Sequence, residues 1–87
     1  MSANFFITRS TLNASASQLV VSARTGRKEL HIERLMGGPN TGYYGPTSAV
    51  TTSTGKASEP GPILNFTGAV YGICDVGTID VQVWEIF

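Results

Sequence analysis

The clearest alternation of apolar and polar positions lies in residues 68–87, which read GAVYGICDVGTIDVQVWEIF. Two apolar runs, 69–74 and 78–87, flank Asp75-Val76-Gly77, and Gly77 can take the positive φ of a tight reversal, so a C-terminal β-hairpin is expected. In the second run Ile79, Val81, Val83 and Phe87 share one side of a period-two ladder, with Asp80 and Gln82 on the other. The same ladder puts Trp84 and Ile86 on the otherwise polar side, where a sheet that buries one face would leave them in water. Something is expected to cover them.

Upstream, residues 4–8 (NFFIT) are apolar, aromatic and β-branched, the pattern of a short strand or of an arm that adds to another sheet. Residues 1–10 are readable as an N-terminal arm of a single domain spanning 1–87. Residues 17–23 (SQLVVSA) predict a second strand, Arg24-Thr25-Gly26-Arg27 a turn, and 28–36 (KELHIERLM) a third strand that closes a hairpin with the second. Within 28–36, Leu30, Ile32 and Met36 share one face and Glu29, His31 and Glu33 the other. A helix is the rival reading, because Glu, Leu, Arg and Met favour helices, but the neighbouring turn and the period of two decide for a strand. Residues 37–42 (GGPNTG) read as a loop and Tyr43-Tyr44-Gly45 as a brief strand. Residues 49–54 (AVTTST) suit an exposed or edge strand, 55–62 (GKASEPGP) a polar loop, and 63–66 the approach to the final hairpin. About seven short strands separated by turn signals, with no convincing helix, predict an all-β fold, a small antiparallel β-sandwich or barrel.

Length sharpens this picture. A chain of 87 residues buries only somewhat more than about 60% of the surface its unfolded form exposes. At about 25 cal/mol per Å² of apolar burial against roughly 1.5 kcal/mol per ordered residue, the balance of so small a scaffold ends near zero. External support is expected. It is not an intrachain disulfide, since Cys74 is the only cysteine, and no Cys/His cluster suggests a structural metal. Self-association or docking on a partner remains. Six basic and six acidic residues cancel, so no broad field gathers nucleic acid or an anionic membrane. No apolar run approaches the roughly 20 residues that span a bilayer, and the N-terminus lacks the basic and apolar regions of a signal peptide. A soluble protein made in the cytoplasm is expected, which makes the acceptor patterns at Asn13 and Asn65 chance matches.

Candidate chemistry is sparse. His31, the only histidine, has Glu29 and Glu33 as same-face neighbours, a weak metal set that reads better as the solvated side of a strand. Cys74 sits in an apolar run beside Asp75, which raises a thiol pKa rather than activating it. Asp75 belongs to a turn and Asp80 to a polar ladder face, so together with Glu85 they are read as structural. The glycines of 37–42 lack the lysine and following helix of a phosphate cradle. Arg24, Arg27 and Lys28 cluster at a hairpin tip suited to a solvated surface or to docking on an acidic protein. Tyr43 and Tyr44 could stack on sugar rings, or serve as core on one side and interface on the other. No catalytic, metal or cofactor site is expected.

Three stretches resemble small β-sandwich virion proteins of tailed bacteriophages, of the capsid-decoration and head-fibre type. They are the polar turn 24–28 before the alternating strand 29–34, the Tyr44-Gly45 segment before the Thr-rich 50–55, and the closing pattern of 68–73, Gly77-Thr78 and 80–83. The last is the most specific. This chain departs from that pattern in its longer 36–42 loop and its bulky Trp84-Glu85-Ile86-Phe87 end. The resemblance implies a non-enzymatic protein of the virion capsid surface, synthesised in the host cytoplasm, with the major capsid protein as partner. It also implies a homo-oligomer, for which a trimer at a local threefold position is one arrangement. The expected interface comprises Phe5, Phe6, Ile7, Arg24, Arg27, Lys28, Tyr43, Tyr44, Trp84, Ile86 and Phe87. The alternative is a receptor- or glycan-binding module of a head fibre, tail fibre or neck, using Tyr43, Tyr44 and the 37–42 loop.

Overall fold

The computed structural model describes residues 5–35, 41–57 and 63–87. Calls that fall on 1–4, 36–40 and 58–62, including most of the glycine-rich loop and of the polar loop at 55–62, lie outside the described residues. Eight strands follow in order: β1 (Phe5–Asn13), β2 (Gln18–Val21), β3 (Glu29–Arg34), β4 (Gly42–Gly45), β5 (Lys56–Ala57), β6 (Ile63–Leu64), β7 (Val70–Cys74) and β8 (Thr78–Ile86). None of the described residues is helical, and the strand reading of 28–36 holds over Glu29–Arg34, as the period of two indicates.

All pairings are antiparallel, in two sheets ordered β1-β8-β3-β6 and β2-β7-β4-β5. Every step along the chain except β4 to β5 passes from one sheet to the other. This is the strand order of a jelly roll, eight strands wound as two Greek keys into a double sheet. Between the sheets lies one core. Leu12, Leu30, Ile32, Ile79, Val81 and Val83 of the first sheet meet Val20, Val21, Tyr44, Val70 and Cys74 of the second. Gly72 makes the approach possible, because a Cβ there would stand 2.9 Å from a Leu12 methyl and 3.0 Å from one of Val20.

Several expectations are corrected. Residues 69–87 form two strands, but not a hairpin: β7 pairs with β2 and β4, while β8 lies in the other sheet between β1 and β3. Gly77 does turn the chain with φ +67°, and the reversal is a corner between layers. Its place is held by Asp75, whose backbone N–H donates to Thr41 O (3.1 Å) and whose carboxylate accepts from Thr41 N (2.9 Å). The supposed hairpin of β2 and β3 is likewise a crossover. Residues 5–10 are no arm, since β1 pairs with β8 from Phe5↔Ile86 through Asn13↔Thr78.

The Thr-rich 49–54 segment is a turn rather than a strand. Thr51 Oγ1 accepts from the N–H groups of Ser53 and Thr54 (both 3.2 Å), and Thr54 Oγ1 accepts from Thr51 N (3.0 Å). Hydroxyls that bond nearby amides offer the backbone an alternative to a ladder. Buried Val50 anchors this turn, and the strand falls later, at β5.

Candidate functional site

Because alternate residues of β8 face the core, the run Ile79, Val81, Val83 continues inward to position 85, and that slot holds a glutamate. Glu85 is 0% exposed. Leaving such a charge unpaired would cost several kcal/mol, roughly 3–5 when a buried partner is lost. Its partner is Arg27, 2% exposed. Arg27 Nε donates to Glu85 Oε2 (3.0 Å), one terminal nitrogen donates to Phe66 O and Gly68 O (3.0 Å each), and the other reaches Glu85 Oε2 (2.9 Å) and Ser22 O. One guanidinium thus ties 22–28, 65–69 and the end of β8 together. Backbone bonds from Arg24 N to Thr67 O (2.9 Å) and from Lys28 N to Ile86 O (2.7 Å) close the same end. Arg27 is therefore corrected from a tip residue to a core residue.

The remaining interface candidates divide among three places. On the solvent side of the first sheet, register sets Phe5 beside Ile86 and Ile7 beside Trp84, with Glu29 and His31 completing those rows on β3. Phe5 stacks on Trp84 at 6.0 Å between ring centroids. Phe5 is 55% and Ile7 51% exposed. Leu64, 63% exposed, lies across Glu29 on β6 and enlarges the patch. The indole Nε1 of Trp84 is occluded from solvent and finds no acceptor among the described residues. At the same end of β1 and β8, on the inward side of the sheet, Phe6 meets Phe87 edge to face (5.5 Å). The Arg24 guanidinium, which also bonds Glu85, lies over the Phe6 ring at 5.4 Å. Lys28 is exposed beside this end.

The tyrosines are separated from all of these. Tyr44 is buried in the core, 6% exposed, and Tyr43 alternates onto the outer face of the second sheet. The pair thus has core on one side, as one of its two sequence readings expects, and Tyr44 is corrected out of the expected interface. A stacking pair for sugars does not form. Leu64 and the Arg27–Glu85 pair are what sequence reasoning missed. Leu64 had a weak signal in an apolar dipeptide between turns, and Glu85 had a plain one, since it shares the parity of Val81 and Val83.

The candidate chemical groups are engaged locally. The Cys74 thiol is buried, donates to Gly77 O (3.2 Å), and has its pKa pushed up by burial first and by the Asp75 charge second, so it stays protonated. His31 Nε2 lies 3.0 Å from Glu29 Oε1 on the sheet surface, and among the described residues no three His, Cys, Asp or Glu converge as metal ligands. Asp80 accepts from Thr11 Oγ1 at 2.8 Å. What the arrangement offers is a surface of aromatic and branched aliphatic side chains on a rigid sheet, framed by Arg9, Glu29, His31 and Glu33. No family model, curated protein or solved structure matches the chain.

Proposed function

We propose that this chain is a non-enzymatic virion protein that decorates the outer surface of tailed-phage heads, docking onto the major capsid protein and reinforcing the shell across neighbouring capsomers. The observation that carries the reading is the apolar patch of Phe5, Ile7, Trp84, Ile86 and Leu64 on the solvent side of the first sheet. Contiguous apolar surface on a small protein marks a site of association. Covering a few hundred Å² of it at about 25 cal/mol per Å² supplies several kcal/mol before association costs. A single small core explains why such help is useful to the domain itself.

The closing 68–83 pattern, which resembles small virion proteins, supports assigning the partner to a phage head. The jelly roll supports it by analogy alone, since capsid and lectin domains share that architecture and an architecture is not a function. The test is quantitative mass spectrometry of purified virions of the phage that encodes the chain. A copy number that scales with the capsomers is expected. A handful of copies would move the protein to a fibre or neck, and its absence from virions would overturn the reading.

A further inference from the structure

We infer that β1 is the surface through which two copies of this chain associate, its free edge pairing antiparallel with the same edge of a second copy to join two four-stranded sheets into one of eight. A sheet edge presents a row of backbone N–H and C=O groups that another strand alone satisfies in series, so natural proteins blunt their edges. Over the described residues, three of the four edges are blunted. β5 and β6 have two residues each, and β2 has four, with a register break between Leu19 and Val21. β1 is different. It runs nine residues, pairs with β8 at every position without a shift, contains no proline, and carries one charged side chain, Arg9.

Half of this edge is already sheltered by its own fold. Leu12 is buried, and Ser10 Oγ donates to Val20 O (3.2 Å), which brings that end of β1 against β2. Residues 5–9 are exposed throughout, with Phe6 49% exposed although it points to the inner side. The segment is complementary to itself. When two copies run antiparallel about Ile7, Phe5 of each faces Arg9 of the other, Phe6 faces Thr8, and Ile7 faces its counterpart. No like charges meet, and each guanidinium lies beside an aromatic ring. The two-fold axis stands perpendicular to the sheets, so the outer faces continue into each other. The Phe5–Ile86 and Ile7–Trp84 rows of both copies then merge into one apolar strip. Resting on the proposed head docking, this joins two grips on one shell, whose combined hold exceeds either alone. The symmetry is two-fold, in place of the trimer implied by the resemblance.

Sedimentation equilibrium of the purified full chain over a wide concentration range tests the inference. The expected mass moves from one chain to two as concentration rises. Ile7→Lys, which opposes two ammonium groups across the axis, raises the dissociation constant about tenfold or more. Leu64→Ser, on the outer face but away from the edge, leaves it unchanged. As a second reading on the unmodified protein, amide exchange of residues 5–9 slows as concentration rises. A monomer at every concentration, an odd-numbered assembly, or a dimer indifferent to Ile7→Lys overturns the edge pairing. So does amide exchange at 5–9 that ignores concentration. A monomeric chain that still co-sediments with phage heads overturns the pairing while leaving head docking intact.

Discussion

Replacing Arg27 with Met keeps much of the side-chain volume while removing every hydrogen bond the guanidinium makes. Glu85, 0% exposed, then keeps only Arg24, whose side chain is 46% exposed and whose attraction is correspondingly screened. The carbonyls of Ser22, Phe66 and Gly68 lose their donor in the same step. Breaking a buried pair from one side costs about 3–5 kcal/mol. A chain of this length has roughly 4–13 kcal/mol in total, at about 0.05–0.15 kcal/mol per residue. Arg27→Met is therefore expected to bring the domain to the edge of folding. Glu85→Met is expected to be comparably severe, because it strands the cation instead. The double replacement removes both charges and should lose less than the sum of the singles, by about 1–3 kcal/mol of coupling. Urea denaturation followed by tryptophan fluorescence and circular dichroism measures all four proteins. An Arg27→Met loss below about 1 kcal/mol, or strict additivity in the double variant, would refute the clamp.

Other outcomes follow from single contacts. Gly72→Ala is expected to cost about 1–3 kcal/mol in the same urea assay, since its Cβ meets Leu12 and Val20 within 3.0 Å; a neutral result would mean that the layers can part there. The raised Cys74 pKa means that the folded state holds a proton which the unfolded chain, with its value near 9.0, releases first. Its contribution to stability is thus complete below about pH 9 and is lost as pH rises toward the folded value, and Cys74→Ala should remove that part of the alkaline loss. Trp84→Phe discards an occluded indole N–H that has no acceptor among the described residues, so the isolated domain should lose no more than about 1 kcal/mol. A larger loss would reveal a partner for the indole.

Much of the fold was legible because burial on a sheet repeats every two residues. Ile79, Val81 and Val83 on β8, and Leu30 and Ile32 on β3, announce their inward side without reference to any neighbour. Pairing partners were not legible for the same reason. β7 and β8 show one buried side whether they lie together as a hairpin or face each other across a core, and the jelly roll takes the second course. Glu85 reads from the sequence only as structural, beside Asp75 and Asp80, because its burial depends on Arg27, which is distant along the chain. The threonines of 49–54 mislead in the other direction, their β-branches suggesting a strand while their hydroxyls close a turn. Of the proposed interface, Trp84 and Ile86 were visible as apolar residues of the wrong parity. Arg27 was not recognisable as core, since burial of an arginine depends on partners that parity does not reveal, whereas the two faces of the Tyr43-Tyr44 pair were legible without saying which tyrosine turns inward.

The central proposal, that the outer face of the first sheet docks on the head of a tailed phage, is tested most directly by co-sedimentation of the purified protein with phage heads that lack it. Trp84→Ser, with its fold verified by circular dichroism, is compared with Leu19→Ser, which removes an exposed leucine from the opposite sheet. The account predicts that Trp84→Ser binds heads about tenfold or more weakly while Leu19→Ser binds as the parent does. Equal binding by all three proteins, or a loss confined to Leu19→Ser, would contradict it.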